Sequence, residues 1–350
     1  MNFRLLICLM MLPAVPLGAR DKTDVVIMKN GDRLTGEIKS LDSGVLYVNL
    51  DYILGTSSVQ WSKVARIESK QLFIVKTQDG RVYTGTLNTV ETGPARPLQI
   101  KVEASPEQAN SLSRSEVVNI GETSQKVWQR FNGSVDTGVI FSRANLNTQY
   151  SLSTNVEYVQ QRWNASSSIS STLSNSSGAP TASRNDLSFN GIHLLPWNNY
   201  YYGALADFLQ SSQQGIQLQT SLGGGIGRYL KNTNHASISP LGGLAWQNTR
   251  YDQAKQPGPT ENVVSALIAA DLKFFRFNKT TLDVTATLYP ALNDPGRVRF
   301  NSNASYYIKL FGNLSWNISF YGNWDSRPPP GFAGSDYGTS SGLTWTFGSR

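Results

Sequence analysis

From Trp128 onward, apolar or small residues alternate with polar ones in stretches of about ten to fourteen, the two-residue period of a strand that faces two media. Phe131, Gly133, Val135, Thr137, Val139 and Phe141 fall on one face of the first stretch. Asn132, Ser134, Asp136 and Gly138 fall on the other, with Ile140 breaking the pattern. Tyr150, Leu152, Thr154, Val156 and Tyr158 then oppose Ser151, Ser153, Asn155 and Glu157, and Trp163, Ala165, Ile169 and Leu173 oppose a ladder of serines. Less regular stretches run near 187–195, 200–208, 216–228, 238–246 and 264–274. The alternation sharpens again through Leu282, Val284, Ala286 and Leu288; then Val298, Phe300, Ala304, Tyr306, Ile308 and Leu310. Leu314, Trp316, Ile318, Phe320 and Trp324 follow, and Tyr337, Thr339, Ser341, Leu343, Trp345 and Phe347 close the series. Twelve strands are predicted, an even number that returns both ends of a barrel to one side of a membrane.

The connections support this count. Those at 160–161, 198–199, 231–234, 278–279 and 312–313 are short, whereas the alternate set includes the long segments 175–184, 251–260, 290–296 and 326–335. Short turns at one end and long loops at the other are the rule for bacterial membrane barrels. A soluble sheet would set its apolar face against charged outer positions. Here the polar face is Ser, Asn, Gly and Thr, and Trp163, Trp197, Tyr200, Tyr202, Trp246, Phe274, Phe311, Trp316, Trp324 and Trp345 lie near strand ends, as interfacial girdles do.

A different pattern occupies the first hundred residues. The run from Asp24 to Ile38 reads as a strand, an Asn30-Gly31 turn and a second strand. The run from Phe73 to Leu87 repeats it, with Gly31 matching Gly80, Gly36 matching Gly85 and Ile38 matching Leu87. Val59 to Ile67 likewise matches Leu112 to Ile120, after an insertion around Pro94, Pro97 and Pro106. Two units of four or five short strands predict a tandem pair of small SH3-like barrels, and packing together would offset the small core available to each. Trp61 and Tyr83, read as exposed, are the aromatic candidates for gripping peptidoglycan or a periplasmic protein, and a spacer or a plug for the barrel is the equal alternative.

Arg4, the apolar run Leu5 to Leu12 and the small residues up to Ala19 predict a secretory signal peptide, cleaved after Ala19. Cys8 lies within it and follows Ile7, where lipoprotein processing needs a small residue, so neither a lipid anchor, a disulfide nor a cysteine-ligated metal is expected. No later stretch reaches the roughly eighteen consecutive apolar residues of a membrane helix, which leaves strands to do any spanning. Only 16% of residues are charged. The net charge of +7 is scattered singly, without the basic run expected of a nucleic-acid binder, so outer-membrane lipid and anionic lipopolysaccharide are the expected partners.

The opening Asn30-Gly-Asp-Arg-Leu-Thr-Gly36, the segment Trp61-Ser-Lys-Val64, the strand Gly223-Gly-Gly-Ile-Gly-Arg-Tyr229 and the closing Gly342-Leu-Thr-Trp-Thr-Phe347 resemble the uncharacterised family of salt-induced outer-membrane proteins, over nearly the whole chain after the signal. The resemblance implies the fold and the location, and supplies no catalytic residues. Many outer-membrane proteins end on the aromatic itself; this chain ends with Gly348-Ser349-Arg350.

Chemistry has little material. His193 and His235 are the only histidines. His235-Ala236-Ser237 has the spacing of a barrel phospholipase, but the strand directions put it beside a short turn and facing inward, away from the lipid that lipolysis needs. Gly223 to Gly227 fails as a dinucleotide fingerprint at Arg228, and small residues in a strand more often admit a bulky neighbour. No cofactor or metal site is expected. The functional candidates are ionisable residues on the predicted inner face: Asp136, Glu157, Asp207, Asp271, Lys273, Asp283, Arg299 and Lys309. Mixed signs in a narrow lumen predict pairing rather than ion selection.

The expectation is an all-β chain with signal peptide 1–19, a tandem SH3-like periplasmic domain 22–121 (repeats 22–70 and 71–121) and a 12-stranded outer-membrane barrel 127–350. Its expected role is a non-enzymatic envelope anchor or stress-related structural protein with a narrow or occluded lumen. A small-solute channel is the alternative, and a lipid-acting enzyme a second.

Overall fold

The computed structural model describes residues 22–90, 99–105, 108–122, 131–142, 147–160, 162–175, 181–196, 198–252, 260–276, 280–311, 313–328 and 334–347. The predicted signal peptide lies outside them, as do Trp128 and the three terminal residues. The N-terminal module comprises β1 (Asp24–Met28), β2 (Arg33–Asp42), β3 (Val45–Leu50), β4 (Thr56–Gln60), a 3-10 turn (Trp61–Lys63), β5 (Val64–Thr77), β6 (Val82–Val90), β7 (Gln99–Ser105), β8 (Gln108–Ser113) and β9 (Val117–Glu122). The barrel comprises β10 (Phe131–Ser142), β11 (Asn147–Val159), β12 (Trp163–Asn175), β13 (Ala182–Leu194), β14 (Tyr200–Ser211), β15 (Ile216–Arg228), the two-residue β16 (Lys231–Asn232), β17 (Ala236–Tyr251), β18 (Glu261–Arg276), β19 (Thr280–Pro290), β20 (Val298–Phe311), β21 (Leu314–Asp325) and β22 (Ser335–Phe347).

In the module, β1 to β4 form an antiparallel meander and the first half of β5 returns to pair with β1. The second half of β5 opens a second meander through β6, β7 and β8, and β9 closes it by pairing with β5. A single 14-residue strand therefore serves both repeats. The two opening turns are built alike. Gly31 (φ +91°) and Gly80 (φ +82°) occupy left-handed positions, and Asn30 and Asp79 each accept the backbone N–H two residues on. The core of both units is one cluster that includes Val26, Ile38, Val64 and Ile67 together with their repeat partners Val75, Leu87, Val117 and Ile120. Trp61 belongs to it too: it is only 3% exposed, and its Nε1 donates to the Arg114 carbonyl at 3.1 Å. The expectation of an exposed Trp61 is thus corrected. At the end of the first repeat the indole fills the seam with the second, because so small a unit needs every large side chain for its core. Tyr83 is half-buried against the same cluster.

The barrel is antiparallel throughout and closes where β10 pairs with β22, from Gly133↔Phe347 to Gly138↔Gly342. Its twelve long strands include all those predicted, but several run further. β13 begins at Ala182, β17 extends to Tyr251 and β18 starts at Glu261. Alternation of apolar residues fades at those ends while backbone pairing continues through polar ones such as Arg184, Asn185 and Asp186. The extra length lies at the end away from the module, called here the far mouth; the near mouth is the module's end.

The outer wall carries the large exposed apolar residues, among them Ile169, Leu222, Leu244, Ile268, Ile318, Phe320 and Leu343. Trp163, Tyr202, Phe274, Phe311, Trp316 and Trp345 ring this wall at the near end, and Tyr150, Trp246, Trp324 and Tyr337 at the far end. Trp316 and Trp324 stand eight residues apart on β21, about 26 Å of strand at about 3.3 Å per residue. A strand tilt near 40° reduces this to roughly 20 Å, close to the apolar band of a membrane barrel. Trp197 falls outside the described residues.

Candidate functional site: the lumen and its two mouths

The strand register places all eight predicted ionisable residues on the inner wall, but it does not bring them together. Asp136 accepts hydrogen bonds from Asn317 Nδ2 (3.1 Å) and Thr344 Oγ1. Glu157 accepts one from Asn164 Nδ2 at 2.5 Å. Lys273 and Asp283 are direct cross-strand partners, with Asp271 one step along the same face; Asp271 and Lys273 are exposed to the interior space. Asp207 lies diagonally across from Asp186, since Ser188↔Asp207 and Asp186↔Leu209 are register pairs. Arg299 and Lys309 sit at opposite ends of β20 and belong to the two mouths.

At the far mouth Arg297 and Arg299 are nearly buried between two carboxylates. Arg297 donates to both oxygens of Asp325, from Nε at 3.1 Å and Nη2 at 2.7 Å, and also to Glu261. Arg299 donates to the same Asp325 (3.0 Å), to Glu261 (3.0 Å) and to Gln247 (3.0 Å). Tyr251 donates to Glu261 at 2.9 Å. Two guanidiniums and two carboxylates balance, and every charged group has a charge-assisted bond, which is the condition for burying them at all. A second pair spans the lumen: Arg184 on β13 donates to Asp336 on β22 at 3.0 Å, with its guanidinium 5.2 Å from the ring centre of Tyr321.

Between the mouths the inner wall is partly apolar. Leu205, Leu241, Ala245, Leu267, Ala269 and Tyr289 pack together from β14, β17, β18 and β19. The glycine run of β15 makes the room. Gly223, Gly225 and Gly227 face inward opposite Leu205, Gly203 and Tyr201. A Cβ on Gly227 would strike the Tyr201 ring, and one on Gly225 the backbone of Gly242. Tyr201 is itself buried and shares a 2.5 Å hydrogen bond with Ser239.

The near mouth is covered by the module. Asn199, in the β13–β14 turn, donates from Nδ2 to the Gln78 carbonyl at 2.7 Å. Asn234, in the turn before β17, donates to the Val117 carbonyl at 2.9 Å. Lys309 Nζ lies 3.3 Å from Ser58 Oγ and 5.7 Å from the Tyr47 ring centre. Turn glycines Gly44 and Gly80 abut Asn234 and Asn199, with no space for a side chain between. Lys76 on β5 also faces this junction. Burial pushes its ammonium below the ordinary lysine range, while Glu157 and Asp42 act in the opposite sense. No buried apolar cluster crosses from module to barrel among the described residues, so the docking rests on polar contacts.

Sequence reasoning missed Arg184, which fell in a stretch read as a loop, Glu261, Arg297 and Asp336, which fell between the predicted loops and the strands after them, and Asn199 and Asn234, read only as turn formers. The inward parity of β18 carried three residues beyond its predicted start would have reached Glu261. His235 lies exposed beside the near-mouth turn, and Ser237 is on the inner face opposite Lys273.

The family model described as "Protein of unknown function, DUF481" matches residues 135–347, more than half of the chain and nearly the whole barrel. The chain belongs to this family. No curated protein matches it. Among solved structures, the family member is similar to the NanC porin (12% identity, TM-score 0.40, 62% of this chain and 99% of that one). It is also similar to the translocator domain of the autotransporter NalP from Neisseria meningitidis (13%, 0.32, 62% and 87%) and to a porin refined at 1.8 Å (8%, 0.30, 62% and 99%). At these identities the likeness is one of fold alone. The closed twelve-stranded antiparallel sheet with its apolar outer wall is itself the architecture of outer-membrane β-barrels.

Proposed function

We propose that this protein is a non-enzymatic anchor of the outer membrane: a barrel with an occluded lumen that holds a small β module at its periplasmic mouth. The occupation of both mouths, by the Arg297–Arg299–Glu261–Asp325 network at one and the docked module at the other, carries this reading. An ion entering the far mouth would have to displace buried ion pairs, and breaking one costs about 3–5 kcal/mol. The apolar outer wall takes membrane lipid, and the long loops face lipopolysaccharide. The module would present its free edge β8 to peptidoglycan or a periplasmic protein, since β4 meets the barrel at Ser58. Catalysis finds no support in the histidines, since Ser237 faces the interior and not the lipid.

A small-solute channel is the second reading, favoured by the exposure of Asp271 and Lys273 to the interior. Planar-bilayer recording of the full refolded chain separates the two. The anchor reading expects no steady conductance above the lipid background, and reproducible unitary steps would replace it with the channel.

A further inference from the structure

Among the described residues of the module, the largest apolar exposure is at the tip of the β3–β4 hairpin, Tyr52-Ile53-Leu54, where Leu54 is fully exposed and Tyr52 is 67% exposed. Two contacts fix the hairpin's course across the near mouth. At its base, Gly44 abuts Asn234 in the turn that leads into β17. At its middle, the register partners Tyr47 and Ser58 meet Lys309 on β20. In barrel order β20 lies three strands on from β17, roughly 14 Å at about 4.8 Å per strand. Gly44 and Tyr47 are three residues apart, up to about 10 Å of chain, which with the reach of the lysine covers that span. The hairpin therefore runs outward, and the segment beyond Tyr47 continues past β20 over the rim.

At that rim the outer wall presents Leu310, Phe311 (71% exposed) and Trp316, part of the near girdle. The apolar tip so continues the barrel's own lipid-facing surface. Its charge fits the same place. Tyr52 to Ser58 carries no charged residue, and the adjoining Asp51 is paired with Lys22 at 3.0 Å. An aromatic residue beside two aliphatic ones is what the headgroup boundary accepts.

We infer that Tyr52, Ile53 and Leu54 form a second membrane contact, inserting into the lipid interface beside β20 and β21 and tethering the module to the same leaflet that surrounds the near mouth. The inference rests on the barrel spanning a bilayer, and the test keeps the two apart. Cys8 is the only cysteine of the chain, so in a Cys8→Ser background single nitroxide labels go on at Leu54→Cys, at Ile318→Cys on the outer wall inside the near girdle and at Lys29→Cys on an exposed turn. The chain is reconstituted in phosphatidylethanolamine–phosphatidylglycerol vesicles, and collisions with oxygen and with a water-soluble nickel chelate are compared by spin resonance. The Leu54 label should resemble the Ile318 label, with an oxygen-to-nickel ratio several-fold above that at position 29. A Leu54 label as nickel-accessible as position 29 overturns the proposal, and so does one shielded from both agents, which would mean that protein covers the tip. Failure at Ile318 would instead overturn the membrane-spanning wall. Ile53→Cys repeats the measurement should the Leu54 variant fold poorly, as judged by heat-shifted gel mobility.

Discussion

The module and the barrel use the same secondary structure turned inside out. In the module Val26, Ile38, Phe73, Val75 and Ile120 are buried, and the polar residues surround them. In the barrel Ile169, Ile268, Ile318 and Phe320 are exposed on the outer wall, while Asp136, Asn317 and Thr344 meet inside. The difference shows what each part was built to exclude. The module gains stability by removing apolar surface from water, whereas the barrel satisfies its backbone internally by closing the sheet and leaves its apolar surface to lipid. One exception on each side joins them: an apolar cluster inside the lumen and an apolar tip outside the module.

Substitutions can break that contrast, in order of expected effect. Phe73→Ala in the module core should cost about 3–5 kcal/mol of module stability and leave the barrel's heat-modifiable mobility unchanged, as denaturant unfolding followed by limited proteolysis would report. Arg297→Met leaves Glu261 and Asp325 sharing one guanidinium, and loss of a buried partner costs about 3–5 kcal/mol at most; detergent-resistant barrel should melt earlier, and a far mouth so opened would let small ions leak. Phe320→Lys, on the lipid face midway between Trp316 and Trp324, should cost about 2–4 kcal/mol of folding into vesicles, whereas the polar inward exchange Ser170→Asn would leave vesicle insertion intact. Gly80→Ala forces a side chain into the left-handed region and against Asn199, at a cost of about 1–2 kcal/mol, seen as faster proteolytic release of the module.

The smallest effect is acidic. Asp79 is partly desolvated, but hydrogen bonds from Thr77 and Arg81 outweigh this and hold its carboxyl below the usual range. A depressed folded value adds stability above the ordinary carboxylate range that is lost as pH falls through the folded one. Since Asp79 and Arg81 are largely exposed, the gain stays below about 1 kcal/mol. Asp79→Asn should lower module stability by that small amount at neutral pH and flatten the acid limb, so that the two chains converge as pH falls through the folded value of Asp79.

Period-two alternation made the barrel legible because lipid and interior read opposite faces of every strand. It assigned Asp136, Lys273 and Arg299 to the inner wall from parity alone. It could not say which strands meet across the lumen. Arg184 and Asp336 are separated by 152 residues, and nothing local to either marks the other. The glycine repeat at Gly31 and Gly80 exposed the duplication, yet the continuous β5 that links the copies was hidden by the bulge between Ser69 and Phe73. Trp61 was misread because a lone aromatic in a polar segment looks exposed until the second repeat supplies its cover. The docking contacts were illegible for a related reason: Asn199 and Asn234 suit tight turns on their own account, Asn199 with φ +60°, and their side-chain bonds to Gln78 and Val117 exist only once both parts have folded.

The placement of the module on the near mouth is the claim on which the occluded lumen depends. It is tested most directly by cross-linking Ser58→Cys to Lys309→Cys in Cys8→Ser chains folded in vesicles, using a short thiol-to-thiol reagent. The contact between Lys309 and Ser58 predicts that most folded chains acquire the intramolecular link and migrate as a compact band. Thiols that both react freely with a maleimide while no link forms would contradict it.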